Sequence, residues 1–543
     1  MTGLPVGVRS LGWCACVALT AALPHGVWAD LIATAPGDAL GLATVSAAPG
    51  GSPPVTSSIL ADPPPLPTPG FTIGRNWTAT TFNTQLSSFG TGSIPPDTMG
   101  GIGPNDAVEL INSTFGHYDK DGVLQTRTTL NAFWNTAFVN AGTATVTSSS
   151  FDPRIIYDAN SSRWFASAVD GAGTASSRIL VGVTTGSDPS PANWRGFTLG
   201  ADADGSHWGD FPMMGINGDG LFITLNMVAN SSGMINQVNV HAIPKASLTG
   251  VTPSVSGAAL QETVNTAVVP NQFDVNDIGF SPQPAFDYDN GSLPLPMLSS
   301  FNSSFVKRTD IPVSFFSGTS IADQTGANFI SSAQPAPPLA NQPGPEPDNV
   351  QTNDTRFSGN VILQNGSLWA VQTIDVSGRA AVKWYEIDQA TNGLLQSGTI
   401  TDPSLDFYFP SIAVNDNGDV VIGMSGSDDS TPISTYVTVG ETTAGTTTFM
   451  APTQTHGGTG SYEILDGIGR NRWGDYSATV IDPTDQNVFW TIQEYSELDT
   501  QFSFTGNWAI RFTEILIPEP GTFAVMMAGV ILVTGRPRRR RAA

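Results

Sequence analysis

Thiols are almost missing from this chain. Two of its 543 residues are cysteine, Cys14 and Cys16. Both lie in the first 29 residues, so the rest of the chain has no disulfide and no thiolate metal site. Histidine is scarce as well, with five in all. His25 falls in the same leading segment, which leaves His117, His207, His241 and His456. These form no HExxH and no pair at metal-ligand spacing. No GxSxG, Walker A or dinucleotide fingerprint occurs in the strand-to-helix context its chemistry needs. Charged residues make up 13% of the chain, and Lys and Arg number 22 against 46 Asp and Glu. A surface of that sign repels nucleic acid, whose binding depends on neutralising phosphates. It favours solubility and gathers cations. Helix-forming Lys and Glu are few, while glycine (57) and proline (40) abound. That balance favours strands and turns.

The ends differ from the rest. Met1–Ser10 carries a single charge, Arg9, and an apolar core follows over Leu11–Leu23. Val27-Trp28-Ala29 then supplies a small residue at a cleavage point, so residues 1–29 read as a secretory signal peptide for signal peptidase. At the other end Phe523–Val533 has no charge, polar side chain or proline. It is short for a span of roughly 20 residues, which suits a transient or tilted helix. Arg536, Arg538, Arg539, Arg540 and Arg541 come after it and mark the cytoplasmic side. Pro518-Glu519-Pro520 precedes it and keeps the approach extended. Setting both ends aside removes 6 basic residues and 1 acidic residue, leaving 16 − 45 = −29 for the body.

Pro518-Glu519-Pro520, the apolar stretch and the arginine cluster together resemble the PEP-CTERM sorting signal of Gram-negative bacteria. The resemblance implies recognition by exosortase, a membrane protease-transpeptidase. It also implies a transient inner-membrane anchor and release to the cell surface or an extracellular matrix where exopolysaccharide is made.

Between the ends, residues 30–75 form a Pro/Ala/Ser-rich leader without apolar periodicity. A second proline-rich stretch, Pro335–Pro347, reads as a surface loop or a seam and cannot be a central strand. Residues 76–516 carry a repeat. Its clearest copy has four apolar runs, Arg154–Tyr157, Trp164–Val169, Ile179–Thr184 and Trp194–Leu199, separated by turn residues. Four short strands in about 50 residues is the pattern of a propeller blade. Related units open at Asp97, Asp210, Pro284, Asp354, Phe409 and Asp475. The expected fold is an all-β propeller of seven blades, with six or eight open, and a β-sandwich or β-helix as the competing architecture. Pro95–Gly100, Asp152-Pro153-Arg154 and Arg472–Ser477 resemble a group of exported bacterial propeller-like proteins, which implies fold and export.

Asp97, Asp152, Asp210, Asp354 and Asp475 each stand just before the first strand of a unit. In a propeller that position rings one mouth of the central channel. Converging carboxylates suit a hard cation such as calcium, and equally well cap turns. Trp208 and Trp473 precede Gly-Asp turns, where they either stack on a sugar or fill a wedge between blades. Asp202-Ala203-Asp204-Gly205 resembles part of a calcium loop, but Ser and His come next, where further carboxylates are needed. The main functional expectation is a non-catalytic propeller that binds a glycan or a surface protein. The alternative is a polysaccharide-cleaving enzyme with its acid and base near Asp210 and Asp475.

Overall fold

The computed structural model describes residues 70–518, apart from 144–149, 265–277, 319–320, 322–328, 345–348, 467–468 and 499–505. The signal-peptide segment, most of the leader and the tail from residue 519 on lie outside the described residues, as does all of the sorting motif except Pro518. Among the described residues no helix is long and apolar enough to cross a membrane.

The chain is all-β and propeller-like, built from successive antiparallel meanders. It opens with β1 (Thr72–Thr81), so the expected body boundary at residue 76 falls inside a strand. Next come β2 (Gly100–Ile102), β3 (Asp106–Ile111), β4 (Thr114–Asp119) and β5 (Leu124–Thr129). The unit read most clearly from sequence forms β6 (Phe151–Asp158), β7 (Arg163–Asp170), β8 (Arg178–Thr184) and β9 (Trp194–Gly200), paired in that order. Then come β10 (His207–Ile216), β11 (Gly220–Ala229), β12 (Ile235–Pro244) and β13 (Ala259–Val264). The next set is β14 (Phe280–Asp287), β15 (Leu295–Asn302), β16 (Phe305–Ile311) and β17 (Phe329–Ser331). After it come β18 (Val361–Gln364), β19 (Ser367–Val376), β20 (Arg379–Asp388) and β21 (Leu394–Ile400). The penultimate set is β22 (Asp406–Val414), β23 (Val420–Ser427) and β24 (Ser434–Thr443), edged by β25 (Thr446–Phe449) and β26 (Thr453–His456). The last is β27 (Ala478–Asp482), β28 (Asp485–Glu497) and β29 (Asn507–Leu516), and β1 returns to pair antiparallel with β29 as its fourth strand.

The first strand of each meander touches the first strand of the next, from β2 through β6, β10, β14, β18, β22 and β27, and β27 touches β2 again. The cores lie between neighbouring sheets, so strands such as β11 are buried along their whole length. This explains why the apolar runs are continuous rather than alternating.

Four inner strands carry the same irregularity. Asp152, Phe211, Ser281 and Phe409 have φ between 48° and 52°, and each precedes a proline, Pro153, Pro212, Pro282 or Pro410. In each case the register slips at that point. A bulge leaves one residue unpaired and bends its strand. Proline, lacking an N–H, fits where no ladder bond is made.

Two placements differ from the sequence reading. The fourth meander opens at Phe280, ahead of Pro284, because Ser281-Pro282 is its bulge. The fifth begins at Val361, so Asp354 belongs to the connection before it. That connection is not simply a surface loop. Ala340 and Val350 bridge each other, Gln342 is buried against the backbone of Tyr462, and Gln351 pairs with Arg472. The described residues on either side of 345–348 find partners for their amides at Tyr462 and Asn471.

Candidate functional site

The bulges and the turns before the inner strands converge on one hub. Asp97, Asp152, Asp210 and Asp475 are all at least nine-tenths buried there, joined by Glu494 from β28. Asn112 ties the first two together. Its Nδ2 donates to Asp97 Oδ2 at 2.6 Å, and its Oδ1 accepts from the Asp152 amide at 2.9 Å. Asp97 and Asp152 also hydrogen-bond each other through their side chains. Asp152 Oδ2 accepts the Phe211 amide at 3.1 Å, which pins the bulge that presents Asp210. Asp475 accepts from Asn353 Nδ2 at 2.8 Å and from Arg472 Nη2 at 2.6 Å.

Guanidinium and aromatic groups alternate across the same space. Arg154 lies 4.6 Å over the Tyr476 ring, Tyr476 lies 4.8 Å from Phe211, and Arg356 lies 4.4 Å over Phe211 and 4.8 Å over Phe280. Such contacts gain strength when desolvated. Here they fill the channel centre.

Burial sets the ionisation. It raises the Asp97 carboxyl well above the usual carboxylate range, helped by the charges of Asp475 and Asp152. Asp210 is raised well above it by burial and then by Asp152 and Asp475. Burial and the Asp475 charge push Asp152 up to about 6, against the Asp97 hydrogen bond, Arg472 and the Phe211 amide. Burial raises Glu494 well up too, although Thr98 donates to it at 3.0 Å. Asp97 Oδ1, Asp210 Oδ1, Glu494 Oε1 and the Tyr476 hydroxyl are buried without a hydrogen-bond partner. Buried polar atoms are seldom left so.

A small cleft opens beside this hub, lined by Asp210, Phe211, Gln351, Asn353, Arg356, Arg470, Arg472, Trp473, Gly474 and Asp475. It therefore brings Asp210, whose carboxyl burial raises well above the usual carboxylate range, into one cleft with Asp475, which is paired with Arg472. Two carboxyl groups in such unlike surroundings can perform proton donation and proton abstraction side by side.

Of the residues singled out from sequence, Asp97, Asp152, Asp210 and Asp475 are brought together. Asp354 is not: its side chain is 42% exposed and holds Arg356 from outside. Trp208 is buried edge-on to Phe151. Trp473 is buried against Tyr462 and donates its indole N–H to Ser425 Oγ at 3.2 Å. Both rings fill wedges, and neither turns a face to solvent for a sugar. Asp202 and Asp204 lie in the turn before β10 and His207 opens that strand, with potential ligand atoms within 4.8 Å of one another. There the two His207 ring nitrogens already meet Ser206 and Asn236.

Sequence reasoning missed Glu494, Asn112, Asn353 and the roles of Arg154, Arg356, Arg472 and Tyr476. Glu494 sits at the end of an apolar run and carries no turn signal. Arg154, Arg472 and Tyr476 sit inside the motifs that open their units, and that adjacency was the one available cue.

No protein-family model matches the sequence, and a comparison with curated proteins gives no match. Among solved structures the chain is similar to an α-L-arabinofuranosidase from Fusarium graminearum, with 7% identity, 80% of this chain and 98% of that one covered, and a TM-score of 0.34. It is similar to a xylan β-1,4-xylosidase from Bacillus halodurans, with 8% identity, coverage of 78% and 98%, and a TM-score of 0.28. It is also similar to a protein of unknown function from Dyadobacter fermentans, with 11% identity, coverage of 68% and 95%, and a TM-score of 0.27. Scores this low carry no residue-by-residue correspondence.

Proposed function

We propose that this chain is an exported, seven-bladed propeller that cleaves polysaccharide at the cleft between Asp210 and Asp475. Each meander is one blade, and β1 closes the ring as the outer strand of the last. The observation that carries the reaction is the pairing, in one cleft, of a proton-bearing Asp210 with an arginine-held Asp475. Asp210 gives its proton to the glycosidic oxygen as the bond to the leaving sugar breaks. Asp475 takes up the charge that develops opposite, acting on water or directly on the sugar. Asp152 keeps Asp210 placed through the Phe211 amide. Arg356, Arg470 and Asn353 supply donors to hydroxyls or carboxylates of the chain being cut. The sequence of the two ends supports export: signal peptidase acts at Ala29, and exosortase acts at Pro518–Pro520 once the apolar stretch and its arginines have held the protein at the inner membrane. The body then works at the cell surface or in the matrix.

The test is to incubate the purified protein with extracellular polysaccharides and measure new reducing ends. Asp210→Asn and Asp475→Asn are each expected to lower the rate about 10²–10⁴-fold. Full activity in both variants would overturn the assignment.

One observation favours a second reading, a propeller that binds glycan or protein without cutting it. The guanidinium–aromatic stack fills the hub and crowds the space a reacting sugar would need. That reading expects retained polysaccharide with no change in its length.

A further inference from the structure

The cleft beside the hub reverses the charge balance of the molecule. The chain has 22 Lys and Arg against 46 Asp and Glu. Yet the guanidinium groups of Arg356, Arg470 and Arg472 line this one hollow, against the carboxyl groups of Asp210 and Asp475. The acids that hold the first two arginines, Asp354 and Asp466, stand outside its lining. An acidic surface keeps anions away. A hollow lined mainly by cations is where such a molecule holds one.

Arg470 is the most open of the three. Its side chain is 21% exposed, against 13% for Arg356 and 9% for Arg472. It is also set in advance. Asp466 accepts from the Arg470 amide at 2.9 Å and from its Nε at 2.8 Å. The Asp466 amide returns a bond to the Arg470 carbonyl at 2.9 Å. A side chain fixed before a ligand arrives loses less freedom on binding. Among the described residues the Nε bond is the one hydrogen bond this side chain makes, so its Nη donors are left for a ligand.

Size selects the anion. The hollow is about 40 Å³. One water needs roughly 10–15 Å³ of such space, so about three water-sized atoms fit. That suits a carboxylate, whose plane also matches the guanidinium fork. Sulfate and phosphate carry further oxygens out of that plane, and a sugar ring stays at the mouth.

We propose that the polysaccharide met by this cleft is acidic, and that Arg470 reads the carboxylate of a uronic acid unit. A neutral sugar leaves those donors unpaired, which is how a site of this kind rejects it. The part this contact plays in catalysis rests on the cleavage reading above; the binding of the carboxylate does not.

The experiment mixes the full chain with an oligomer of glucuronate, with the same oligomer after carboxyl reduction to neutral glucose units, and with sodium sulfate. Affinities are read by calorimetry, and new reducing ends are measured on the acidic and reduced polymers. The acidic oligomer should bind about tenfold or more tighter than the neutral one. Arg470→Ala should remove that preference, and Arg470→Lys should restore part of it. On the acidic polymer Arg470→Ala should raise KM about tenfold with kcat nearly kept. Arg195→Ala, on β9 and outside the cleft, should change nothing. Acidic preference without any cleavage would uphold the inference and sink the enzyme reading. Equal affinity for the two oligomers, or a preference that survives in Arg470→Ala, would overturn the inference and leave cleavage itself standing. So would sulfate binding as tightly as the acidic oligomer.

Discussion

Burial does at single residues what composition alone does not reveal. His241 is buried on β12 with its Nε2 3.3 Å from the Ala201 carbonyl, and burial lowers its pKa to about 4. A histidine held neutral in the fold takes up a proton more readily when unfolded. Its contribution is complete above about pH 6.5 and disappears as pH falls toward 4, at most about 3 kcal/mol. The buried hub carboxyls act in the opposite direction, since protonation suits them folded. The two are separated by difference: wild type minus His241→Gln, measured by urea unfolding between pH 7 and 4, should give a stability gap that closes with acid. A gap independent of pH would mean that His241 titrates normally. Legibility at this scale tracked local chemistry. Asp97 and Asp475 were readable because they stand in the turns before β2 and β27, whereas Asp152 and Asp210, expected just before their strands, lie inside β6 and β10 at or beside the bulges. Asp354 looked the same in sequence, but irregular chain separates it from β18. Glu494 was invisible because its neighbours on β28 read only as a buried strand.

Strands were legible where four apolar runs succeed one another without interruption, as in β6–β9. They were less so where a bulge broke the run: Phe211-Pro212 and Phe409-Pro410 read as strand openings, and the Ser281-Pro282 bulge was passed over in favour of Pro284. Two helices, Phe82–Phe89 and Leu130–Ala141, were not foreseen. Their Thr caps, Thr81 and Thr129, lie in Thr-rich stretches that look like strand. Contact between neighbouring elements gives a sharper test. Gly215 lies where β10 runs parallel to β14, and a Cβ there would meet the Ala285 and Pro284 carbonyl oxygens at 2.5 and 2.6 Å. Backbone cannot move aside as a flexible side chain can. Gly215→Ala should therefore cost about 1–3 kcal/mol in chemical denaturation. Gly366→Ala, in open space at φ 73°, isolates the strain of a positive φ alone and should cost less, about 1 kcal/mol. Equal losses would mean that the inner strands are not packed as closely as the geometry requires.

Closure belongs to the whole molecule and has no local sign in the sequence, because β1 and β29 stand near opposite ends of the body. β1 is also polar, TIGRNWTATT, and borders the leader, so it reads as more of the same. What joins it to β29 is specific. Trp77 stacks on Phe512 at 4.4 Å, Arg511 donates to Thr78 Oγ1 and the Asn76 carbonyl, and Arg75 pairs with Glu514. An edge strand left unpaired would expose the β29 ladder to solvent and to other chains. The Trp77 ring also packs beside Tyr118 of β4, so it couples the last sheet to the first. If the ring is held by this seam, Trp77→Ala should destabilise the entire body, by about 2–4 kcal/mol, and melting should remain one transition. Deleting residues 70–81 should go further and split unfolding into steps, with oligomers forming through the bare β29 edge. Calorimetry and size-exclusion chromatography would show both effects. A truncated chain that stays monomeric and melts at the wild-type temperature would mean that contacts among the inner strands alone hold the ring closed.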